Sequence, residues 1–167
     1  MNKAKKISAI LILLLIAGVT SITLYRNLNE KEPTSFSLAD INGIQHNITF
    51  EDKPTILLFF TSWCPYCNED APRVVSLYEK YKDEINLYGV NIINRDDLEE
   101  VIDYVNKYEI KYPVLLDEES SLHKQYKSPG FPTLIFLNKN GKEINRIVGA
   151  SSIDIIEAQF INAIKTY

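Results

Sequence analysis

A chain of 167 residues, 46% hydrophobic and 24% charged, has the length and composition of one ordinary globular domain with a sizeable core. Its net charge is −4, yet residues 1–26 carry Lys3, Lys5, Lys6 and Arg26 with no acid, which leaves the rest at −8. An acidic body lacks the basic footprint that nucleic-acid binding requires, so that class is excluded.

Residues 1–26 read as a membrane-targeting element rather than part of the fold. Lys3, Lys5 and Lys6 precede an uncharged, Ile- and Leu-rich stretch from Ile7 to Tyr25. As a helix it spans roughly 28 Å, close to a bilayer core. A cleavable signal peptide is the rival reading, since the densest apolar part, Ile10 to Val19, is short. Only Ala17-Gly18 offers a small-residue cleavage site, so the expectation is an uncleaved single-pass anchor. No cysteine follows the apolar run, which excludes lipoprotein processing. The lysines then mark the cytoplasmic side and place the body outside, where dithiols find disulfide partners. Residues 27–35 are polar with one proline and suit a short tether, leaving 36–167 as the folded domain.

Phe36-Ser37-Leu38 and Ile44 to Ile48 flank Asn42-Gly43, which predicts a β-hairpin closed by a type I′ turn. Thr55-Ile56-Leu57-Leu58-Phe59-Phe60 follows Pro54 and is short, β-branched and aromatic, as a fully buried strand should be. The chain then runs into Thr61-Ser62-Trp63-Cys64-Pro65-Tyr66-Cys67, which holds its only two cysteines. Pro65 suits a first helical position, because it has no N–H to leave unpaired and its φ is preset. Cys64 therefore stands at a helix N-terminus, where unpaired N–H groups and the helix dipole favour a thiolate. Thiolate is the attacking species in disulfide exchange, and two intervening residues let the second sulfur reach the first. This spacing assigns Cys64 as nucleophile and Cys67 as resolving thiol. A zinc site needs two more ligands, and His46 and His123 stand alone; both histidines read as surface or loop residues. A purely structural bridge closing so short a loop would remove little chain entropy.

The helix after Cys67 continues to about Tyr81 and should kink at Pro72. Asn86 to Ile93 reads as a second buried strand. Asp96, with Glu99 three residues on, has the form of a capping box. Leu98, Val101, Ile102, Val105 and Tyr108 then recur at helical spacing. Tyr112 to Asp117 is a short extended piece and Leu122 to Tyr126 about two helical turns. Thr133–Leu137 and Glu143–Val148 flank Asn138-Lys139-Asn140-Gly141 as a hairpin. Ser152 caps a last helix with Ile153, Ile156, Phe160, Ile161 and Ile164 on one face. The order predicts an α/β fold, a central mixed sheet with helices on both faces. The many tyrosines, Tyr78, Tyr81, Tyr104, Tyr108 and Tyr112 among them, read as core edges.

Over residues 35 to 165 the chain resembles the thioredoxin superfamily, in particular the membrane-anchored TlpA/ResA-type thiol–disulfide oxidoreductases. The resemblance rests on Trp63-Cys64-Pro65-Tyr66-Cys67, Pro72, Gly130-Phe131-Pro132-Thr133, Asn140-Gly141-Lys142 and Gly149, in that order and spacing. It implies a thioredoxin-like fold and no cofactor or metal. It also implies a cis Phe131–Pro132 bond beside the dithiol, with the Phe131 backbone offering strand-like hydrogen bonds to a substrate. Trp63, Pro65, Tyr66, Phe131 and Pro132 are the residues it places against substrate, with plain core packing as the alternative for Trp63. Relatives of this type reduce apocytochrome c cysteines or serve spore-envelope assembly, and are recharged by a membrane electron donor of the CcdA type. The chain departs from the pattern in three places. Leu58 stands where thioredoxin has a buried aspartate, and Asn94 falls where ResA-like proteins carry a glutamate after the second strand. Pro65-Tyr66 is the dipeptide of glutaredoxins. The proton acceptor for Cys67 is thus open, with Glu69 and Asp70 as nearby acids. A reductant of protein disulfides is the leading expectation, and a DsbA-like oxidant the runner-up. Thr61-x-x-Cys64 without a proline at Leu57 argues against a thiol peroxidase. A tethered copper-binding module lacks its histidine.

Overall fold

The structure, a computed structural model, describes residues 11–22, Tyr25 and 35–167. The chain divides into two units, Met1–Glu32 and Pro33–Tyr167. In the first, residues 11–22 are helical and Leu11 to Ile16 are exposed. No helix among the described residues is long and apolar enough to cross a membrane. The rest of the expected anchor and almost all of the tether lie outside the described residues.

The second unit opens with β1 (Ser35–Ala39) and β2 (Gln45–Thr49), an antiparallel hairpin with Phe36 opposite Ile48. Its turn differs from the expected type I′. Only Gly43 takes a positive φ, +77°, where type I′ needs two such residues. The Asp40 carboxylate is the reason, since it accepts from the N–H groups of Asn42 and Ile44 and holds a wider loop. Asp40 also pairs with His46 at 2.9 Å.

Five strands form the main sheet in the order β5-β4-β3-β6-β7. They are β3 (Thr55–Phe60), β4 (Asn86–Asn91), β5 (Val114–Leu116), β6 (Thr133–Leu137) and β7 (Glu143–Val148). β3 lies at the centre, parallel to β4 and antiparallel to β6, and every one of its residues is buried. A strand covered on both faces reads as an unbroken apolar run. The hairpin joins the β5 edge through a bond from Ile41 N–H to Val114 C=O, 3.0 Å.

Four helices complete the domain: α1 (Pro65–Tyr81), α2 (Leu98–Lys107), α3 (Ser121–Gln125) and α4 (Ile153–Thr166). On one face Val74 and Leu77 of α1, Val101 and Tyr104 of α2, and Ile156 and Phe160 of α4 pack with Ile56, Leu58 and Phe60. On the other face Ile48 and Phe50 from the hairpin side and Leu122 of α3 pack with Leu57 and Phe59. Alternate residues of β3 thus feed two cores, as a pleated strand requires. Gly89 of β4 is small because a Cβ there would meet the Tyr112 ring at 3.2 Å and Phe60 at 3.3 Å. α1 runs unbroken through Pro72. In α2 the buried residues are Val101 and Tyr104, while Leu98 and Ile102 of the expected apolar face are 42% and 37% exposed.

Candidate active site

The C-terminal end of β3 delivers the chain directly into the N-terminus of α1. Cys64 is the N-cap residue, extended at φ −75° and ψ 119°, and Pro65 opens the helix. Cys64 and Cys67 are both free thiols and both buried. The Cys64 thiol donates to the Phe131 carbonyl at 3.5 Å. Phe131 precedes a cis peptide bond to Pro132, as the resemblance implied. Phe131, Pro132, Cys64 and Cys67, far apart in sequence, are therefore one site. Trp63 and Tyr66 are about 60% exposed on either side of Cys64. Trp63 meets the Phe131 ring edge-on at 6.4 Å, so it is a rim residue and not core packing.

Burial pushes the Cys67 thiol well above the ordinary cysteine range, and the neighbouring Cys64 and Asp70 add to this. The Thr61 backbone opposes it. Cys67 is thus kept protonated until a base removes its proton. Asp70, one helical turn further along α1, is 1% exposed. Its Oδ1 accepts from Arg73 at 2.7 Å and from the Ser151 N–H at 3.1 Å, while its Oδ2 is buried with no hydrogen-bond partner. Burial raises its proton affinity and Arg73 opposes that. Glu69, by contrast, is half-exposed and paired with Arg73. The two acids that look alike in sequence have different surroundings, because α1 turns only one of them inward.

Asn94, where the resemblance has a glutamate, accepts from the Ser120 hydroxyl through its Oδ1. Two sequence readings are corrected here. Asp96 is not the cap of α2. Asp97 is, accepting from the Glu99 N–H at 2.9 Å. Asp96 instead reaches the active-site loop, taking the Ser62 N–H at 2.6 Å, the Ser62 hydroxyl and the Asn91 amide. His123 is not a surface residue: its ring lies 5.4 Å from Phe131 and 5.8 Å from Phe59, with Nε2 buried. Burial lowers its proton affinity.

The reactive loop is held from both sides by groups the sequence did not single out. The Trp63 indole donates to the Arg95 carbonyl at 2.8 Å. Asn68 donates to the carbonyls of Ser62 and Cys64, both at 2.9 Å, and is itself held by the Tyr108 hydroxyl. Tyr104 donates to the Cys67 carbonyl at 2.9 Å. Only the Asp96-x-x-Glu99 pattern could have drawn attention to this segment, and it suggested the wrong role. Asp96→Ala should cost about 2 kcal/mol in denaturant unfolding and shift Trp63 emission, because it leaves Ser62 and Asn91 donors unpaired. Asp97→Ala, which removes only a cap, should cost about 1 kcal/mol and leave the emission unchanged.

A mixed sheet that brings a buried dithiol at a helix N-terminus against a cis-proline segment defines a thioredoxin-like thiol–disulfide oxidoreductase. Residues 28–144 match the AhpC/TSA family, and the chain belongs to it. It is similar to Thiol-disulfide oxidoreductase ResA of Bacillus cereus, with 30% identity covering 94% of this chain and 95% of the relative. Sporulation thiol-disulfide oxidoreductase A of Bacillus subtilis is 32% identical over 66% of this chain and 68% of its own. The crystal structure of StoA from Bacillus subtilis superposes with a TM-score of 0.67 at 28% identity, covering 78% of this chain and 98% of that one.

Proposed function

We propose that this ResA-like oxidoreductase reduces disulfides of protein substrates outside the cytoplasmic membrane, held there by its N-terminal segment. The observation that carries the reading is the Cys64 sulfur set against the Phe131 carbonyl, at the rim of Trp63 and Tyr66. An extended substrate segment pairing with the Phe131 backbone would present its disulfide to that sulfur. Cys64 thiolate attacks one substrate sulfur, forming a mixed disulfide and releasing the other as thiolate. Cys67 gives its proton to Asp70 and attacks Cys64. The substrate leaves with both sulfurs reduced, and the two electrons it gained leave Cys64–Cys67 oxidised. A membrane electron donor of the CcdA type would restore the dithiol.

The resemblance to ResA-type proteins, which reduce their clients, is what supports the reducing direction. Clients in cytochrome c maturation or the spore envelope are those the resemblance suggests. Alkylation of the full-length protein in living cells should find the Cys64/Cys67 pair mostly reduced. A mostly oxidised pair would reverse the direction. Failure of the purified full chain to cycle between bridged and open forms in a dithiol buffer would remove the redox reading altogether.

A further inference from the structure

The Asp70 carboxylate is unevenly engaged, and the unevenness has a structural cause. Its Oδ1 is bonded twice, by the Arg73 guanidinium from α1 and by the Ser151 N–H from the segment leading into α4. Its Oδ2 is equally buried and bonded by nothing. A buried carboxylate oxygen left open in this way costs stability, so a fold retains it only where something compensates. Arg73 bridges the inside and outside of the helix. One arm holds the buried Asp70 and the other holds Glu69, whose side chain is 53% exposed. The Arg73 side chain itself is 31% exposed, so this charge stays hydrated while it acts on a carboxylate that is not.

We propose that Arg73 is the positioning residue of the resolving step: by placing its charge on Oδ1 of Asp70 it keeps the buried carboxylate ionised, with Oδ2 as the open acceptor for the Cys67 proton. The inference rests on the role given above to Asp70 and extends it to a residue with no contact to either sulfur. The charged and titratable groups facing Asp70 are few. On α1, Arg73 bonds it directly, while Glu69 and the Cys67 thiol act on it only through space. From the α4 side the contact is the Ser151 backbone, and Asp154 in the first turn of α4 is exposed. A single cation therefore dominates this carboxylate. Arg73 lowers the proton affinity that burial raises, and so widens the pH range over which Asp70 can take a proton. In the step itself the Cys67 S–H bond breaks and its proton passes to Oδ2. The freed electron pair forms the Cys67–Cys64 bond, and the Cys64–substrate bond breaks with its electrons on the departing sulfur.

The test is a single-turnover oxidation of the reduced full-length protein by a peptide disulfide, followed through Trp63, the only tryptophan in the chain, and repeated across pH. With Arg73→Leu the resolving rate should fall roughly ten-fold at pH 5.5 and under about two-fold at pH 8.5, because the carboxyl stays protonated to higher pH. Arg73→Lys should restore most of the loss. Glu69→Gln, which leaves the Arg73–Asp70 pair intact, should follow wild type throughout. A loss in Arg73→Leu that is equal at all pH values, or no loss, overturns the role of Arg73. Asp70→Asn separates the two levels: it should abolish the acid limb, and an unchanged limb in that variant would refute the role of Asp70 itself. Thermal melts of each variant distinguish a lost fold from a lost step.

Discussion

Cys67→Ser should accumulate covalent mixed disulfides between Cys64 and its substrates, visible as adducts on non-reducing gels that a reductant releases. The same experiment with Cys64→Ser should give none. The asymmetry follows from the site: Cys64 caps α1 beside the Phe131 carbonyl at the aromatic rim, whereas Cys67 sits deeper under the first turn. The effect is large because a well-oriented intramolecular group can act at an effective concentration on the order of 10⁵ M or more, which external thiols at millimolar levels do not replace. Multiple turnover should therefore be lost in both variants, for opposite reasons. Adducts formed through Cys67 instead of Cys64 would invert the assignment.

Asp70→Asn should slow turnover roughly 10²-fold near pH 7 while leaving the protein as stable as wild type or more so. The sign of the stability change comes from linkage. Burial gives the folded carboxyl a higher proton affinity than the unfolded one, so the folded state binds the proton more tightly. That favours folding at low pH, and the benefit is lost as pH rises from the ordinary carboxylate range through the folded value. Asparagine carries no such dependence and can still accept at one oxygen from Arg73 and Ser151. Thermal unfolding should therefore show Asp70→Asn matching or exceeding wild type at pH 7, with the advantage vanishing at acid pH. A variant that is destabilised at pH 7 and fully active would contradict both halves. The expected trade of stability for activity is characteristic of groups retained for chemistry.

The architecture of the site separates two kinds of information. Local patterns carried the elements. The apolar run of β3, the N-terminal proline of α1, the serine cap of α4 and the last hairpin are all legible because each depends on residues within a turn or two of one another. The dithiol was legible for the same reason: two cysteines, a proline and a buried strand are contiguous. The Gly130-Phe131-Pro132-Thr133 segment needed the resemblance, since nothing near it in sequence says that its carbonyl will meet a sulfur 67 residues earlier.

Where the structure departs from the local pattern, two local roles compete for one residue type. Asp96 and Asp97 are equivalent as caps by sequence, and only the path of the loop decides which turns back to Ser62. His123 looked like a loop residue because a lone histidine on a short helix has no pattern. Its aromatic neighbours, Phe59 and Phe131, come from two different strands or their approaches.

Sequence alone thus determined the class of chemistry, because a nucleophile and its resolving partner must lie within a helical turn of each other to work. Tertiary structure decided which groups serve them. Asp70 is turned inward and Glu69 outward, and Tyr104, Asn68 and Asp96 converge on the reactive loop from separate elements. Proton transfer and positioning depend on distance in space, and chain order does not encode that distance until the sheet and helices have packed.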